Sequence, residues 1–387
     1  MIPTSSRLQL ASKLPSVGTT IFTVMSKLAT DVGAINLAQG FPGFNCDPVL
    51  VSLVEKYLRS NLNQYAPMAG VPVLRDAIAR KTLACYGVGY DPDTEITITS
   101  GASEAIFDAV TAVVRPGDEV IVFEPAYDCY VPAIDLNGGV PVYVALSAPD
   151  YSIDWPTVAD AITDRTRLMI VNTPHNPSGR VWTADDLTQL ARLVRDRDIW
   201  IVSDEVYEHI LFDQRIHHSL MTHPTLRERT FVVGSFGKTF HVTGWKIGYC
   251  LAPAAFTTEF RKVHQYLTFS TVTPIQYALA DYLSQPDHYR ALPDFYQRKR
   301  DLFLDSLRDS RFTFTPTEGS FFQTVSYAAI TTEPDYDLAV RLTHEIGVAS
   351  IPVSVFYHQR TDNKILRFCF AKEDADLLRA AERLCSL

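Results

Sequence analysis

The chain has 387 residues, of which 47% are hydrophobic and 20% are charged, a balance typical of a globular enzyme with a large buried core. This length is sufficient for two domains. The net charge of -9 argues against nucleic acid as the main partner.

The first 22 residues contain no long apolar stretch followed by a small-residue cleavage site, so we expect neither a signal peptide nor a membrane span.

The six cysteines are far apart, and none forms a C-x-x-C pair. This spacing predicts neither a zinc site nor a disulfide framework, and we expect no metal. The same cysteine usage indicates a reduced, cytoplasmic setting.

From about residue 95, short apolar runs alternate with amphipathic stretches. The stretch 103–115 has helical spacing, and the stretch 183–198 opens with Thr183 three residues before Asp186, as a helix does. Several apolar runs are hydrophobic on both faces, which predicts an α/β fold with a mostly parallel sheet covered by helices. The seven predicted strands are 95–100, 119–125, 140–146, 167–174, 200–207, 230–236 and 247–253.

The two ends of the chain have a different pattern. Residues 1–45 are rich in loop signals, and from about residue 285 a long charged helix precedes shorter strand-like runs. We expect a large domain over residues 46–284 and a small α+β domain built from residues 1–45 and 285–387.

The run Gly237-Lys238-Thr239 has the last three residues of a nucleotide-binding phosphate loop. That motif requires a glycine five residues before Gly237, where this chain has Val232 inside a predicted strand. A P-loop NTPase is therefore only a remote alternative. The pair Gly87 and Gly89 lacks the third glycine of a dinucleotide fingerprint.

Chemically useful side chains follow several of the predicted strands. Ligands of open α/β sheets collect at the carboxyl ends of the strands, so we expect these residues to lie together. They are Gly101, Ala102, Ser103, Tyr127, Asn176, Asp204, Tyr207, Ser235 and Lys238.

This set matches the requirements of pyridoxal 5'-phosphate. Lys238 can supply the amine that condenses with the aldehyde, and Asp204 can keep the ring nitrogen protonated. Asn176 and Tyr207 can bond to the ring hydroxyl, and Tyr127 can stack on the ring. The phosphate is expected to bind Ser235, Lys246 and the amides of Gly101, Ala102 and Ser103.

Three sequence blocks resemble the signatures of class I/II pyridoxal-phosphate aminotransferases of fold type I: "NTPHNPSG" (172–179), "SDEVY" (203–207) and "SFGKTFHVTGWKIGY" (235–249). The segments 37–44, 63–70 and 365–372 are similar to further blocks of that family. "EPAYDCYVP" (124–132) and "VHQYLTFS" (263–270) are most similar to the methionine and kynurenine–glutamine aminotransferase branch. The resemblance covers nearly the whole chain.

The resemblance implies further site residues. Arg367 would bind the substrate α-carboxylate, assisted by Asn176 and the backbone of Gly40. Tyr65 would reach the cofactor phosphate of a neighbouring subunit, which implies an obligate homodimer. Lys246 stands where some relatives have arginine. An apolar substrate pocket would be formed by Phe22, Tyr127 and, from the partner subunit, Phe269.

The function implied is transfer of the amino group of a large neutral amino acid, methionine or an aromatic one, to a 2-oxo acid with ping-pong kinetics. Lys238, Asp204 and Tyr207 would carry the catalysis. A cysteine-conjugate β-lyase with the same cofactor remains an alternative. A regulator that senses the cofactor would need a DNA-binding module, for which the chain has no spare length or basic segment.

Overall fold

A sheet of seven strands forms the centre of the computed structural model, which describes residues 10–387. In chain order, the strands of this part of the chain are β1 Ile35–Asn36, β2 Ile96–Thr99, β3 Glu119–Glu124, β4 Val140–Ala145, β5 Thr166–Asn172, β6 Trp200–Asp204, β7 Thr230–Ser235, β8 Gly248–Leu251, β9 Phe322–Ser326, β10 Val348–Ala349, β11 Ile351–Pro352 and β12 Ile365–Cys369.

The large sheet has the strand order β2-β8-β7-β6-β5-β3-β4. The pairs β3 with β4, β3 with β5, β5 with β6 and β6 with β7 are parallel, whereas β8 is antiparallel to both of its neighbours. All seven predicted strands of the mostly parallel sheet are confirmed. Each ends somewhat earlier than predicted, because the following residues leave the sheet and enter the connecting loops.

Helices cover both faces of this sheet. The α-helices of the described chain are α1 Ile21–Val32, α2 Pro48–Arg59, α3 Pro72–Tyr86, α4 Ala102–Val113, α5 Tyr130–Leu136, α6 Trp155–Ala161, α7 Ala184–Val194, α8 Pro224–Arg227, α9 Phe236–Thr239, α10 Ala254–Leu267, α11 Thr273–Leu283, α12 Asp287–Arg290, α13 Leu292–Ser306, α14 Asp335–Arg341 and α15 Asp374–Leu384. Three-residue or four-residue 3-10 turns occupy Leu220–Thr222, Thr243–Trp245 and Val353–Phe356, and a π-helical turn occupies Leu342–Ile346.

Strand β3 shows why its apolar run is continuous. Ile121 and Phe123 pack into one hydrophobic core, and the alternating residues Val120 and Val122 pack into a second core on the opposite face. A strand buried on both faces cannot alternate between apolar and polar residues. The helix predicted over 183–198 is α7, and the reciprocal hydrogen bonds of Thr183 and Asp186 form its capping box.

The two chain ends meet in space. Strand β1 pairs in parallel with β10, and β11, β12 and β9 form an antiparallel sheet of three strands. The predicted charged helix begins later than residue 285, as α12 and then α13.

The prediction that residues 1–45 consist largely of loops is wrong for α1, while residues 1–9 lie outside the described part. Helix α1 is capped at its start by Thr20, whose side chain accepts a hydrogen bond from the Thr23 amide, and at its end by Gly33 with a φ of 67°. In residues 10–387, none of the helices is long and apolar enough to cross a membrane.

Candidate active site

A cavity of about 280 Å³ opens at the carboxyl ends of the central strands. Every predicted site residue except Tyr65 and Phe269 lines it. The predicted residues that it brings together are Phe22, Gly40, Gly101, Ala102, Ser103, Tyr127, Asn176, Asp204, Tyr207, Ser235, Lys238, Lys246 and Arg367.

Lys238 lies in the single turn of α9 that follows β7, so its side chain leaves the sheet edge and enters the cavity. Its Nζ donates a hydrogen bond of 2.9 Å to the carbonyl oxygen of Gly40 and lies 5.6 Å from the centre of the Tyr207 ring. Burial lowers the pKa of the Lys238 amine to about 8, although the nearby charge of Asp204 opposes this shift. About one tenth of the amine is therefore neutral, and hence nucleophilic, at pH 7.

Asp204 ends β6 and is 4% exposed. Its Oδ2 accepts a hydrogen bond of 2.7 Å from the hydroxyl of Tyr130, and its Oδ1 accepts one of 3.3 Å from the Val206 amide. Burial raises the pKa of the Asp204 carboxyl to about 6, and both hydrogen bonds act in the opposite direction. The carboxylate is thus held in a low-dielectric position where an opposing cation would stabilise it.

Tyr130 is a site residue that the sequence interpretation missed. It begins α5 three residues after Tyr127, so both rings lie on the side of the chain that faces Asp204, with ring centres 5.9 Å apart. The available signal was this spacing, since residues three apart around a helix start share a face.

Asn172, also missed, connects two predicted residues. Its side-chain amide donates a hydrogen bond of 2.8 Å to the Asp204 carbonyl oxygen, and its Oδ1 accepts one of 2.7 Å from the Asn176 amide. It therefore fixes the turn that carries Asn176 to the end of β6.

Arg367 lies on β12 and is 1% exposed, yet it reaches the cavity. Its guanidinium donates hydrogen bonds of 2.8 Å to Asn176 Oδ1 and 3.1 Å to the Ala38 carbonyl oxygen, and lies 3.9 Å from the centre of the Phe322 ring. Within the described residues, its Nε has no hydrogen-bond partner. The guanidinium is thus held in place with its planar fork at the cavity, which suits a planar carboxylate ligand.

A positively charged cradle lies at the start of α4. Gly101 caps this helix with φ 81° and ψ 170°, and no side chain caps its first turn. A Cβ at Gly101 would lie 3.2 Å from Nζ of Lys246, so glycine allows the ammonium group to approach the helix start closely. We call Gly101, Ala102, Ser103 and Lys246 the cationic cradle. The predicted Gly101 amide is not free, since it donates a hydrogen bond of 2.8 Å to the Thr99 carbonyl oxygen, so the start of α4 beyond Gly101 and the Lys246 cation are what favour a phosphate dianion.

Aromatic rings line the side of the cavity near Arg367. The centre of the Phe22 ring lies 6.5 Å from that of Tyr127 and 6.0 Å from that of Phe356. The cationic side chains in the cavity lining are Lys238, Lys246 and Arg367. Arg367, whose guanidinium lies 5.3 Å from the centre of the Phe22 ring, is the cation next to the wall of Phe22 and Tyr127, and the described lining offers no second arginine there for an acidic side chain.

Tyr65 and Phe269 lie outside the cavity of their own chain. They are 84% and 42% exposed, and their rings contact each other edge to face with centres 5.3 Å apart. Their predicted roles therefore require a second copy of the chain.

Residues 32–384 of this chain match the family model described as "Aminotransferase class I and II". The chain thus belongs to the class I and II aminotransferases, with the fold type I architecture of that family. It is an enzyme that depends on pyridoxal 5'-phosphate. The residues present fit this cofactor, since they combine a partly neutral lysine amine, a buried carboxylate and the cationic cradle.

Three relatives illustrate the relationship. A methionine aminotransferase of Escherichia coli (strain K12) is 52% identical over 97% of this chain and 98% of its own length. A kynurenine–oxoglutarate transaminase of Dictyostelium discoideum is 34% identical over 96% of this chain and 95% of its own. The solved structure of N-succinyldiaminopimelate aminotransferase from Mycobacterium tuberculosis has a TM-score of 0.94 at 36% identity, covering 98% of this chain and 100% of that chain.

A solved Escherichia coli structure reported with a methionine aminotransferase function superimposes with a TM-score of 0.97 at 52% identity, covering 98% of this chain and 100% of that chain.

The remote P-loop alternative is wrong. Val232, where that motif needs glycine, is buried within β7 and pairs with β6 and β8.

Proposed function

We propose that this enzyme transfers the amino group of a large neutral amino acid, methionine foremost, to a 2-oxo acid. The observation that carries the proposal is that Arg367, a fixed cation suited to the α-carboxylate, stands beside an aromatic wall of Phe22 and Tyr127 with no second arginine among the described lining residues. An unbranched thioether or an aromatic ring fits such a wall. The 52% identity to a methionine aminotransferase supports the same choice.

The cofactor would be held by the chain in the following way. Ser235 and the cationic cradle would bind the phosphate, and Tyr127 would cover one face of the ring. Asp204, held by Tyr130, would keep the ring nitrogen protonated. Burial keeps the pKa of the Tyr207 phenol well above its usual value, so this group stays protonated and donates to the ring hydroxyl together with Asn176. When bound, the cofactor supplies an electrophilic carbonyl and a ring that accepts electrons.

The reacting groups of the chain follow from the same geometry. Arg367 and Asn176 bind the substrate α-carboxylate, so the Cα–H bond is presented to Lys238. Lys238, with a pKa of about 8, is the group placed to take the Cα proton as a base and to return it as an acid. The Gly40 carbonyl oxygen accepts a hydrogen bond from the Lys238 amine and keeps it oriented. The 2-oxo acid product leaves before the acceptor binds, which gives ping-pong kinetics.

We further propose a homodimer with shared active sites. Tyr65 would contact the cofactor phosphate of the partner subunit, and Phe269 would complete the partner's apolar pocket. The exposure of both side chains outside their own cavity supports this arrangement. Free thiols at all six cysteines are consistent with the proposed cytoplasmic setting.

The proposed domain division places residues 46–284 in the large domain and residues 1–45 with 285–387 in the small one. Pairing of β1 with β10 supports it, since this contact joins the two chain ends within the described residues.

The test is a panel of amino donors with the purified, cofactor-loaded enzyme. Methionine and aromatic donors should be converted to their 2-oxo acids with at least about tenfold higher kcat/KM than aspartate, because an acidic side chain would lie unpaired against the apolar wall. Equal turnover of aspartate would overturn the proposed substrate class. Release of pyruvate and ammonia from a cysteine conjugate, without transfer of the amino group, would instead establish the β-lyase alternative.

A further inference from the structure

A buried cluster of Glu104, Asp108 and His264 lies between α4 and α10, directly behind the cationic cradle. All three side chains are buried, and His264 is fully enclosed. Nδ1 of His264 lies 2.7 Å from Glu104 Oε1, which is a hydrogen-bond distance that leaves no room for a metal ion between the two atoms.

Glu104 connects this cluster to the cradle. It stands in the first turn of α4, immediately after Ser103. Its Oε2 accepts a hydrogen bond from the backbone amide of Ser100, and its Oε1 faces His264. The carboxylate therefore fixes the backbone on both sides of Gly101, where the chain adopts a conformation that only glycine adopts readily.

His264 connects the cluster to a second segment. Its Nε2 donates a hydrogen bond of 2.9 Å to the carbonyl oxygen of Met68, so this nitrogen carries a proton. Met68 lies three residues after Tyr65, and its neighbour Ala69 accepts a hydrogen bond of 3.0 Å from the Ile98 amide of β2. His264 thus links the segment that carries Tyr65 to the helix that carries the cradle.

The third member, Asp108, makes no comparable connection. Its Oδ2 lies 3.6 Å from Nδ1 of His264, and neither of its carboxylate oxygens has a hydrogen-bond partner in the described chain. It contributes charge near His264 but holds no backbone group. This difference between two neighbouring carboxylates provides an internal control.

We propose that Glu104 and His264 are positioning residues for the cofactor phosphate, because they hold the backbone of residues 100–103 in the shape that receives it. The inference rests on the proposed role of the cationic cradle. Neither residue is among those that line the cavity. Their effect should therefore be confined to the phosphate end of the ligand.

The test compares the affinity of the cofactor-free protein for pyridoxal phosphate with its affinity for pyridoxal, which lacks the phosphate. Glu104→Ala should weaken binding of pyridoxal phosphate about tenfold or more, since a charge-assisted hydrogen bond to the cradle backbone is lost. Pyridoxal affinity should change less than about twofold to threefold, because its ring contacts are distant from Ser100.

Two further variants separate positioning from general stability. Glu104→Gln should lose part of the selectivity for the phosphate, because its single amide oxygen cannot accept from both the Ser100 amide and Nδ1 of His264, whose pKa the neighbouring carboxylates of Asp108 and Glu104 raise to about 9 against the effect of burial. Asp108→Asn should leave both affinities unchanged. Should Glu104→Ala not fold, Glu104→Asp replaces it, since the shorter carboxylate cannot reach both Ser100 and His264 and should lose the selectivity.

The outcomes are distinguishable. An equal loss of affinity for both ligands in Glu104→Ala, or an unchanged ratio between them, overturns this inference alone. A wild-type protein that binds pyridoxal as tightly as pyridoxal phosphate overturns the cradle assignment and this inference together. A loss of selectivity in Asp108→Asn as large as in Glu104→Ala contradicts the assignment to Glu104.

Discussion

The hydroxyl of Tyr130 donates a hydrogen bond of 2.7 Å to Oδ2 of Asp204, and both side chains are almost fully buried. The bond joins the first residue of α5 to the last residue of β6. Burial alone favours the neutral carboxyl, while the phenol donor favours the carboxylate. The ability of Asp204 to stabilise a positive ring nitrogen therefore depends on a neighbour that does not touch the substrate.

Tyr130→Phe should raise the pKa of Asp204 further, because the variant loses a donor that stabilises only the charged form. We expect kcat to fall about tenfold or more, because one charge-assisted hydrogen bond is lost. The acid limb of the pH profile of kcat should move to higher pH. Tyr151→Phe is the matched control, since Tyr151 is a buried tyrosine whose hydroxyl has no partner in the described chain. Identical pH profiles for wild type and Tyr130→Phe would contradict the expectation.

Asp204→Asn should stabilise the cofactor-free protein while abolishing transamination. The pKa of Asp204 in the folded state is raised to about 6, so the unfolded chain ionises this group at lower pH than the folded chain. Folding stability is consequently lost as pH rises through this interval, and the wild type should be less stable than the variant by about 2 to 3 kcal/mol at neutral pH.

The difference should be small near pH 4, grow up to about pH 6 and stay constant above it. Thermal unfolding of both cofactor-free proteins across this range measures it, with the exposed Asp196→Asn as control. A difference that is the same at pH 4 and pH 7 would show that burial of the charge is not its origin.

Arg367→Lys should weaken substrate capture with little change in cofactor affinity. The charge is kept, but the fork that bonds to Asn176 and Ala38 is lost, so the α-carboxylate is no longer held in plane. We expect kcat/KM for methionine to fall about 100-fold or more, equivalent to about 3 kcal/mol, mostly through KM. Arg300→Lys is the control, because Arg300 is also buried but forms its paired bonds with Asp213 outside the cavity. If the two variants had comparable KM values, the assignment of Arg367 to substrate binding would be contradicted.

Gly101→Ala should damage cofactor binding through the backbone. The new Cβ would meet Lys246 Nζ at 3.2 Å, and φ 81° with ψ 170° is a region that non-glycine residues avoid at a cost of about 1 to 3 kcal/mol. We expect the dissociation constant for pyridoxal phosphate to rise about tenfold or more. Gly87→Ala carries a similar positive φ with open space around the added carbon, so it should lower the melting temperature without changing cofactor affinity. Tight binding by Gly101→Ala would refute the cradle geometry.

The chain order of strands and turns made the centre of the site predictable. Lys238 and Asp204 each follow an apolar run that is buried on both faces, and parallel strands deliver such residues to one edge. Helix α1 was missed within residues 1–45, which are rich in loop signals, although Thr20 and Gly33 are of the residue types that cap a helix. The strands of the large sheet can therefore be predicted from local sequence pattern, whereas the helices and strands at the two chain ends are harder to predict in this way.

Contacts between distant parts of the chain were not predictable from the residues alone. The bond from Lys238 to Gly40 spans 198 residues, and that from Arg367 to Asn176 spans 191. Tyr130 and Asn172 were missed for a related reason, since each acts on another site residue rather than on a ligand. Such roles depend on three-dimensional packing, which periodicity does not encode.

Complementation between two defective variants should reveal whether Tyr65 acts across subunits. Lys238→Ala abolishes the proton transfers in its own cavity, and Tyr65→Ala removes a side chain that is 84% exposed in its own chain. In a mixed dimer, one cavity would carry both defects, whereas the other would combine an intact Lys238 with the intact Tyr65 of the Lys238→Ala subunit. Random reassociation of equal amounts should therefore restore about one quarter of wild-type activity, because half the dimers are mixed and each has one intact site.

Each variant alone should remain well below this level, and the mixture should also regain the visible absorbance of bound cofactor in proportion to activity. The exposed pair of Tyr65 and Phe269 allows an independent comparison, since Phe269→Ala mixed with Lys238→Ala should restore KM for methionine rather than cofactor affinity. If Tyr65 acted within its own chain, both cavities of a mixed dimer would be defective and mixing would add nothing to the separate activities. Persistence of a fully active monomer at low concentration would contradict the shared site altogether.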